Sequence, residues 1–157
     1  MTTIGVVRIV ALAGLCGCQA APAADATAAQ QSAAPEYLSA PGAETSELPF
    51  SEAVRVGDML YLSGRIGRGP GGDLPEGGIQ PETRYALENI KTVLERHGSS
   101  MDRVIKCTVM LADMAEWGAM NEVYREFFPV NKPARSAFGT SGLAAGARVE
   151  IECMGAA

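Results

Sequence analysis

The sequence predicts an α+β domain in which two helices cover one face of a single sheet. Three observations carry this expectation. Five short runs are rich in apolar and β-branched residues and are bounded by Gly, Pro or Asp, as strands are. Two longer stretches repeat apolar side chains at helical spacing and carry matching start and stop residues. Their order is β-β-α-β-α-β-β, and stacking both helices on one sheet face is the economical way to bury their stripes.

The first two strands are residues 51–56 and 59–63, on either side of Gly57-Asp58, a pair suited to a tight hairpin turn. Residues 67–78 are Gly-rich and include Pro70 and Pro75, which makes them a loop. Pro81 opens the first helix and Gly98 closes it, the usual asymmetry of helix ends. Ala86, Ile90, Val93 and Leu94 fall on one face of that helix. Residues 104–111 form the third strand. Asp113 is placed to cap the second helix, with Glu116 three residues on as its capping-box partner. Trp117, Met120, Tyr124 and Phe127 make a buried stripe, and Pro129 ends the helix. The last two strands fall near residues 135–138 and 147–154. Alternation puts Cys107 and Cys153 on the apolar side of their strands. Thr108, Glu150 and Glu152 point the other way, together with Lys106. A mixed sheet face that no helix covers implies association around it.

At 157 residues the chain holds one domain and a tail, not a multidomain enzyme. Thirteen Lys+Arg against 18 Asp+Glu give a net charge of -5. Phosphate backbones select basic surfaces, so nucleic-acid binding is not expected, and ribonuclease activity fits poorly for the same reason. The expected organisation is a signal segment over 1–18, a tether over 19–46 and the folded domain over 47–157. Residues 1–8 carry one cation, Arg8, and residues 9–15 are apolar or small, a short signal core. Residues 19–46 are rich in Ala, Gln, Ser, Thr and Pro, with Tyr37 as their one large aromatic. So little apolar surface does not offset the entropy of ordering a chain. Leu15-Cys16-Gly17-Cys18 is similar to a bacterial lipobox, which implies a lipid on Cys18. Gln19, rather than Asp, follows it and implies anchoring in the outer membrane. The alternative is ordinary signal cleavage near Ala21-Pro22-Ala23, which leaves a soluble periplasmic protein. Beyond the N-terminus no 18-residue apolar run exists, so the membrane is met only through the anchor. Cys107 and Cys153 are expected as buried free thiols. A disulfide is compatible with an oxidising periplasm but is not readable from spacing. No zinc-ligand spacing occurs, and His97 at a helix C-terminus reads as a dipole contact.

Six segments occur in a telling order: Pro49-Phe50-Ser51-Glu52-Ala53-Val54, Tyr61-Leu62-Ser63-Gly64, Asn121-Glu122-Val123-Tyr124, Phe127-Phe128-Pro129, Pro133-Ala134-Arg135-Ser136 and Val149-Glu150-Ile151-Glu152. Together, over about residues 48–157, they resemble the Rid family, the YjgF-type reactive-intermediate (enamine/imine) deaminases. The resemblance implies a chorismate-mutase-like fold with a mixed sheet, and a homotrimer with ligand clefts between subunits. It implies hydrolysis of small 2-imino acids such as 2-iminopropanoate and 2-iminobutanoate to 2-oxo acids and ammonia, with no cofactor and no metal.

The same resemblance implies the site. Arg135 matches the carboxylate-binding arginine, and a guanidinium fork suits a carboxylate because it donates two parallel, charge-assisted hydrogen bonds. Glu150 matches the acidic residue that positions or deprotonates the attacking water. Glu152 lies on the same strand face, and alternation alone does not separate the two; register with Arg135 selects Glu150. Ser63 and Gly64 match the cleft floor, where Gly permits close approach of the backbone. Asn121 matches a position near the cleft, and Ala137 offers its backbone groups. Phe50 stands where these deaminases usually carry Tyr, so one hydroxyl is absent. Ala137 replaces a residue that is often Cys or Thr, and Phe138-Gly139-Thr140-Ser141-Gly142 replaces a Val-Glu-Val run. Two function classes follow: a cofactor-independent imine deaminase, or a non-catalytic trimer that binds small carboxylates on the same fold. Arg135 favours the enzyme.

Overall fold

The sheet begins earlier in the chain than composition suggests. In the computed structural model, which describes residues 34–43 and 47–157, β1 (Glu36–Leu38) pairs antiparallel with β2 (Ala53–Val56), setting Tyr37 opposite Val54. This strand falls inside the expected tether 19–46. Three extended residues on an exposed edge need no apolar pattern of their own, so composition does not reveal them. The expected signal segment 1–18 with Cys18, and the rest of the expected tether except residues 34–43, lie outside the described residues.

From β2 the chain turns at Gly57, whose φ of 56° suits a two-residue hairpin, into β3 (Met59–Leu62). Then follow β4 (Arg65–Ile66), α1 (Ile79–Arg96), β5 (Val104–Leu111), α2 (Trp117–Phe127), β6 (Ala134–Gly139) and β7 (Val149–Ala156). The strand order is β1-β2-β3-β7-β5-β6, with β4 also beside β7. Only β5 and β6 run parallel, joined through α2; the other pairs are antiparallel, so the sheet is mixed.

Helix ends follow local chemistry. Pro81 sits in the first turn of α1, where its missing N–H has no intrahelical acceptor to lose. At the other end Gly98 takes φ 82°, its N–H donates to Glu95 O at 3.2 Å, and Ser99 N donates to Leu94 O at 2.8 Å. This left-handed closure satisfies two terminal carbonyls. Asp113 caps a single 3-10 turn, Met114–Glu116, ahead of α2, accepting from Ala115 N at 2.8 Å. The expected capping box does not form, because Glu116 accepts from Arg148 Nη1 at 2.7 Å instead.

Both helices lie on one sheet face. Ala86, Ile90, Val93 and Leu94 of α1 are buried as expected, against Leu60, Val109, Leu111, Val149 and Ile151. Met120 and Tyr124 of α2 join them, but Trp117, expected in the same stripe, is 44% exposed. Cys107 and Cys153 face this core, as alternation predicts, and they stand opposite each other in the β5–β7 register, joined by a disulfide. The expected free thiols are therefore corrected. The pairing depends on a cross-strand register that no local spacing contains.

Candidate functional site

The structure sorts the sequence-derived site residues into two groups on opposite sides of the sheet. The first group surrounds Glu150. Tyr61 of β3 stands opposite Met154, yet Arg65 of β4 stands opposite Ile151. The chain has gained one residue over β7 at Ser63-Gly64, which is a bulge, and bulges re-aim side chains beside sites. A Cβ built on Gly64 would overlap Glu150 Oε1 and stand 3.0 Å from its Cδ. Glycine is thus what lets the Glu150 carboxylate lie against the bulge. Gly64, Glu150 and Phe50, itself 56% exposed, line one open cleft of about 580 Å³ with Leu48, Ile66, Gly69 and Ala144. Arg65, Arg68 and Asn89 also line it, and the sequence reading named none of the three. Only Arg65 carried a sequence signal, since it follows Ser63-Gly64 directly; Arg68 and Asn89 reach the cleft through the fold. Ser63 is not among the lining residues. Its Oγ donates to Ser51 O at 2.7 Å and so braces the bulge from behind.

Behind that cleft Glu52 gathers three basic side chains. It accepts from Arg96 Nη1 at 2.6 Å and from Arg65 Nη2 at 3.1 Å, and its Oε2 lies 3.1 Å from His97 Nε2. Burial pushes the Glu52 carboxyl up, but hydrogen bonds from Arg96 and His97 and the charges of Arg96 and Arg65 outweigh it and hold it below its ordinary value. His97, read from sequence as a dipole contact, belongs to this cluster.

The second group surrounds Arg135. In the parallel β5–β6 register Arg135 is beside Cys107, so it points to the helix face, whereas Glu150 is beside Met110 on the open face. The Arg135 guanidinium carbon sits 4.6 Å from the ring centre of Tyr124 and 5.9 Å from that of Trp117. Among the described residues it has no carboxylate within ion-pair distance. A cation stacked on two rings and lacking an internal anion is poised for an external one. Asn121 is spaced one turn from both Trp117 and Tyr124 on α2, and Ala137 follows Arg135 on the same face of β6. Burial pushes the Tyr124 hydroxyl up to about 12 although the Arg135 charge pulls it down, so the ring stays neutral beside the cation. Trp117 and Tyr124 were both read as core; Tyr124 is buried there and Trp117 is exposed, and both rings also meet Arg135. Their spacing around Asn121 was the signal that they flank a site.

The remaining open face carries Lys106, Thr108 and Glu152, with Lys106 Nζ donating to Ser136 Oγ at 2.9 Å and a shallow recess of about 100 Å³ beside Tyr61 and Met154. Among the described residues no cluster of three His, Cys, Asp or Glu has the makings of a metal site, and no helix is long and apolar enough to cross a membrane.

The family described as Endoribonuclease L-PSP matches residues 39–157. The 2-iminobutanoate/2-iminopropanoate deaminase of Mus musculus is 41% identical over 107 residues, 68% of this chain and 79% of the relative. The crystal structure of yeast YEO7 superposes with a TM-score of 0.73 at 34% identity, over 78% of this chain and 98% of the other. That of E. coli TdcF with bound serine gives a TM-score of 0.66 at 32% identity, over 70% and 89%.

Proposed function

The chain belongs to the Endoribonuclease L-PSP family, also called Rid, and from that premise we propose that it is a hydrolytic deaminase of reactive 2-imino acids. Substrates of this class include 2-iminopropanoate and 2-iminobutanoate, and the products are the 2-oxo acids and ammonia. The observation that carries the reading is the pair of half-sites: an arginine stacked on two rings without an internal anion, and a glutamate laid against a glycine bulge in an open cleft. The Arg135 fork holds the substrate carboxylate. The Glu150 carboxylate accepts a proton from a water as the water oxygen attacks the C=N carbon. Glu150 passes that proton to the adduct nitrogen, and the adduct hydroxyl proton follows it there, so the nitrogen leaves as ammonia as the C=O bond of the oxo acid forms. No electron transfer occurs in these steps, and water is the only co-reactant. Net charge of -5 speaks against the ribonuclease activity in the family's description.

Arg135 and Glu150 project from opposite sheet faces of one copy, so a site that uses both draws them from two copies. A homotrimer with clefts between subunits supplies this arrangement, and the uncovered sheet face with Lys106, Thr108 and Glu152 gives it a surface. For location, Leu15-Cys16-Gly17-Cys18 supports a lipid anchor on Cys18 in the outer membrane. Changing Cys18 to Ser should release the protein from membranes; an unlipidated mature N-terminus near Ala24 would sink that assignment.

The activity test is direct. The purified chain is added while an amino-acid oxidase generates 2-iminopropanoate, and oxo-acid formation is compared with an enzyme-free blank. Hydrolysis above the blank is expected. If none of the small 2-imino acids responds, the protein binds carboxylates without turning them over.

A further inference from the structure

Resting on the deaminase reading, we propose that Arg68 makes the Glu150 cleft selective for 2-imino acids that carry a second carboxylate on their side chain. In the proposed site Arg135 already serves the carboxylate next to the imine carbon. A monocarboxylic substrate brings no further anion, yet the cleft wall that carries Glu150 also carries two arginines, Arg65 and Arg68. They are not equivalent. Arg65 is committed, donating from Nη2 to Glu52 Oε1 at 3.1 Å. Arg68 has no carboxylate within ion-pair distance among the described residues. Its Nη1 donates to the Gly72 carbonyl, which leaves the other donors of a five-donor fork for an anion.

The fold fixes where Arg68 stands. Asn89 of α1, itself a lining residue, donates from Nδ2 to Arg68 O at 3.0 Å. Arg68 N donates at 2.8 Å to the carbonyl of Ile66, the residue that stands opposite Glu150. The loop beyond closes on itself through Gly69 N to Asp73 O at 2.9 Å, with Gly72 at φ 85°. A cation held by its backbone at the rim of a cleft loses less freedom on binding than one on a loose loop. An acidic side chain on the imine carbon lies in the same cleft as this fork. The substrate class is therefore the imine of an acidic amino acid, such as 2-iminosuccinate or 2-iminoglutarate. The reaction that supplies it is oxidation of that amino acid at its α-carbon.

The test uses stable product analogues beside turnover. Binding of 2-oxoglutarate and 2-oxobutanoate to the full chain is measured by calorimetry, for the parent, Arg68→Ala and Arg68→Lys. Hydrolysis of the two matching imines is followed in parallel. The parent should bind the dicarboxylate more tightly, and Arg68→Ala should lower the ratio of the two affinities roughly 10- to 100-fold, the worth of one charge-assisted pair. Arg68→Lys should restore part of that ratio. A parent with no preference, a parent that binds neither acid, or an Arg68→Ala variant that weakens both acids equally would overturn the proposal. If the affinity ratio behaves as expected while neither imine is hydrolysed above the blank, the Arg68 assignment stands and the deaminase reading falls.

Discussion

Arg135 and Gly64 show how a single side chain, or its absence, would set up the proposed site. A bidentate clamp depends on the planar fork, so retaining charge is not enough. Arg135→Ala and Arg135→Lys should each cost about 2–4 kcal/mol of transition-state binding, roughly 30- to 1000-fold in kcat/KM, while the fold persists. Full activity in Arg135→Ala would remove the carboxylate role from this residue. Gly64 acts through space rather than through its backbone angles. An added methyl meets the far end of the Glu150 side chain, which can swing away. Gly64→Ala should therefore change thermal stability by less than about 1 kcal/mol and still lower kcat more than 10-fold, because Glu150 is displaced. Equal losses in stability and turnover would mean the glycine is structural. Arg135 and Glu150 could be named as candidates from the sequence, since their segments carry the family resemblance. Arg68 could not, because its relevance depends on a loop closure and an Asn89 contact distant in sequence.

At the scale of elements, the helices and the strands of four or more residues were legible, and the two shorter strands were not. α1, β5 and β7 each follow a clear apolar period. β1 and β4 are too short to show one, and they are strands only because neighbours pair with them. The disulfide between β5 and β7 belongs to the same class of hidden fact. Alternation placed both sulfurs in the core but could not bring them together. Its removal by Cys107→Ser with Cys153→Ser should destabilise by about 2–4 kcal/mol, read as a drop in Tm. An unchanged Tm would mean that the core holds this register without the bond. Glu52 ties the segment before β2 to β4 and the end of α1, and it confers a pH dependence with a definite sign. Its folded-state pKa lies below the ordinary value of 4.5. The stabilisation is therefore present above that value and is lost as pH falls through the lower folded value. Melting temperatures measured downward from pH 6 should fall more steeply for the parent than for Glu52→Gln. Parallel curves would deny the cluster this role.

At the scale of the molecule, one copy presents the two proposed half-sites on opposite faces of its sheet. The sheet lies between Arg135 and Glu150, and the open face that carries Glu150 is the surface on which the proposed assembly rests. The sequence reading anticipated that surface from the alternation of Lys106, Thr108, Glu150 and Glu152. It did not anticipate that the two key residues point apart, because faces are set by the parallel β5–β6 register. In the proposed homotrimer, a heterologous ring of three copies would bring each Arg135 to a neighbour's cleft. The most direct test mixes two variants that are inactive alone, Arg135→Ala and Glu150→Gln, by co-expression in equal amounts. A shared site is whole only where an intact arginine from one copy meets an intact glutamate from the next, so activity should return to about a quarter of the parent value under random assembly. Co-expressed assemblies that stay as inactive as the separate variants would show that each site lies within a single copy, and would contradict the account.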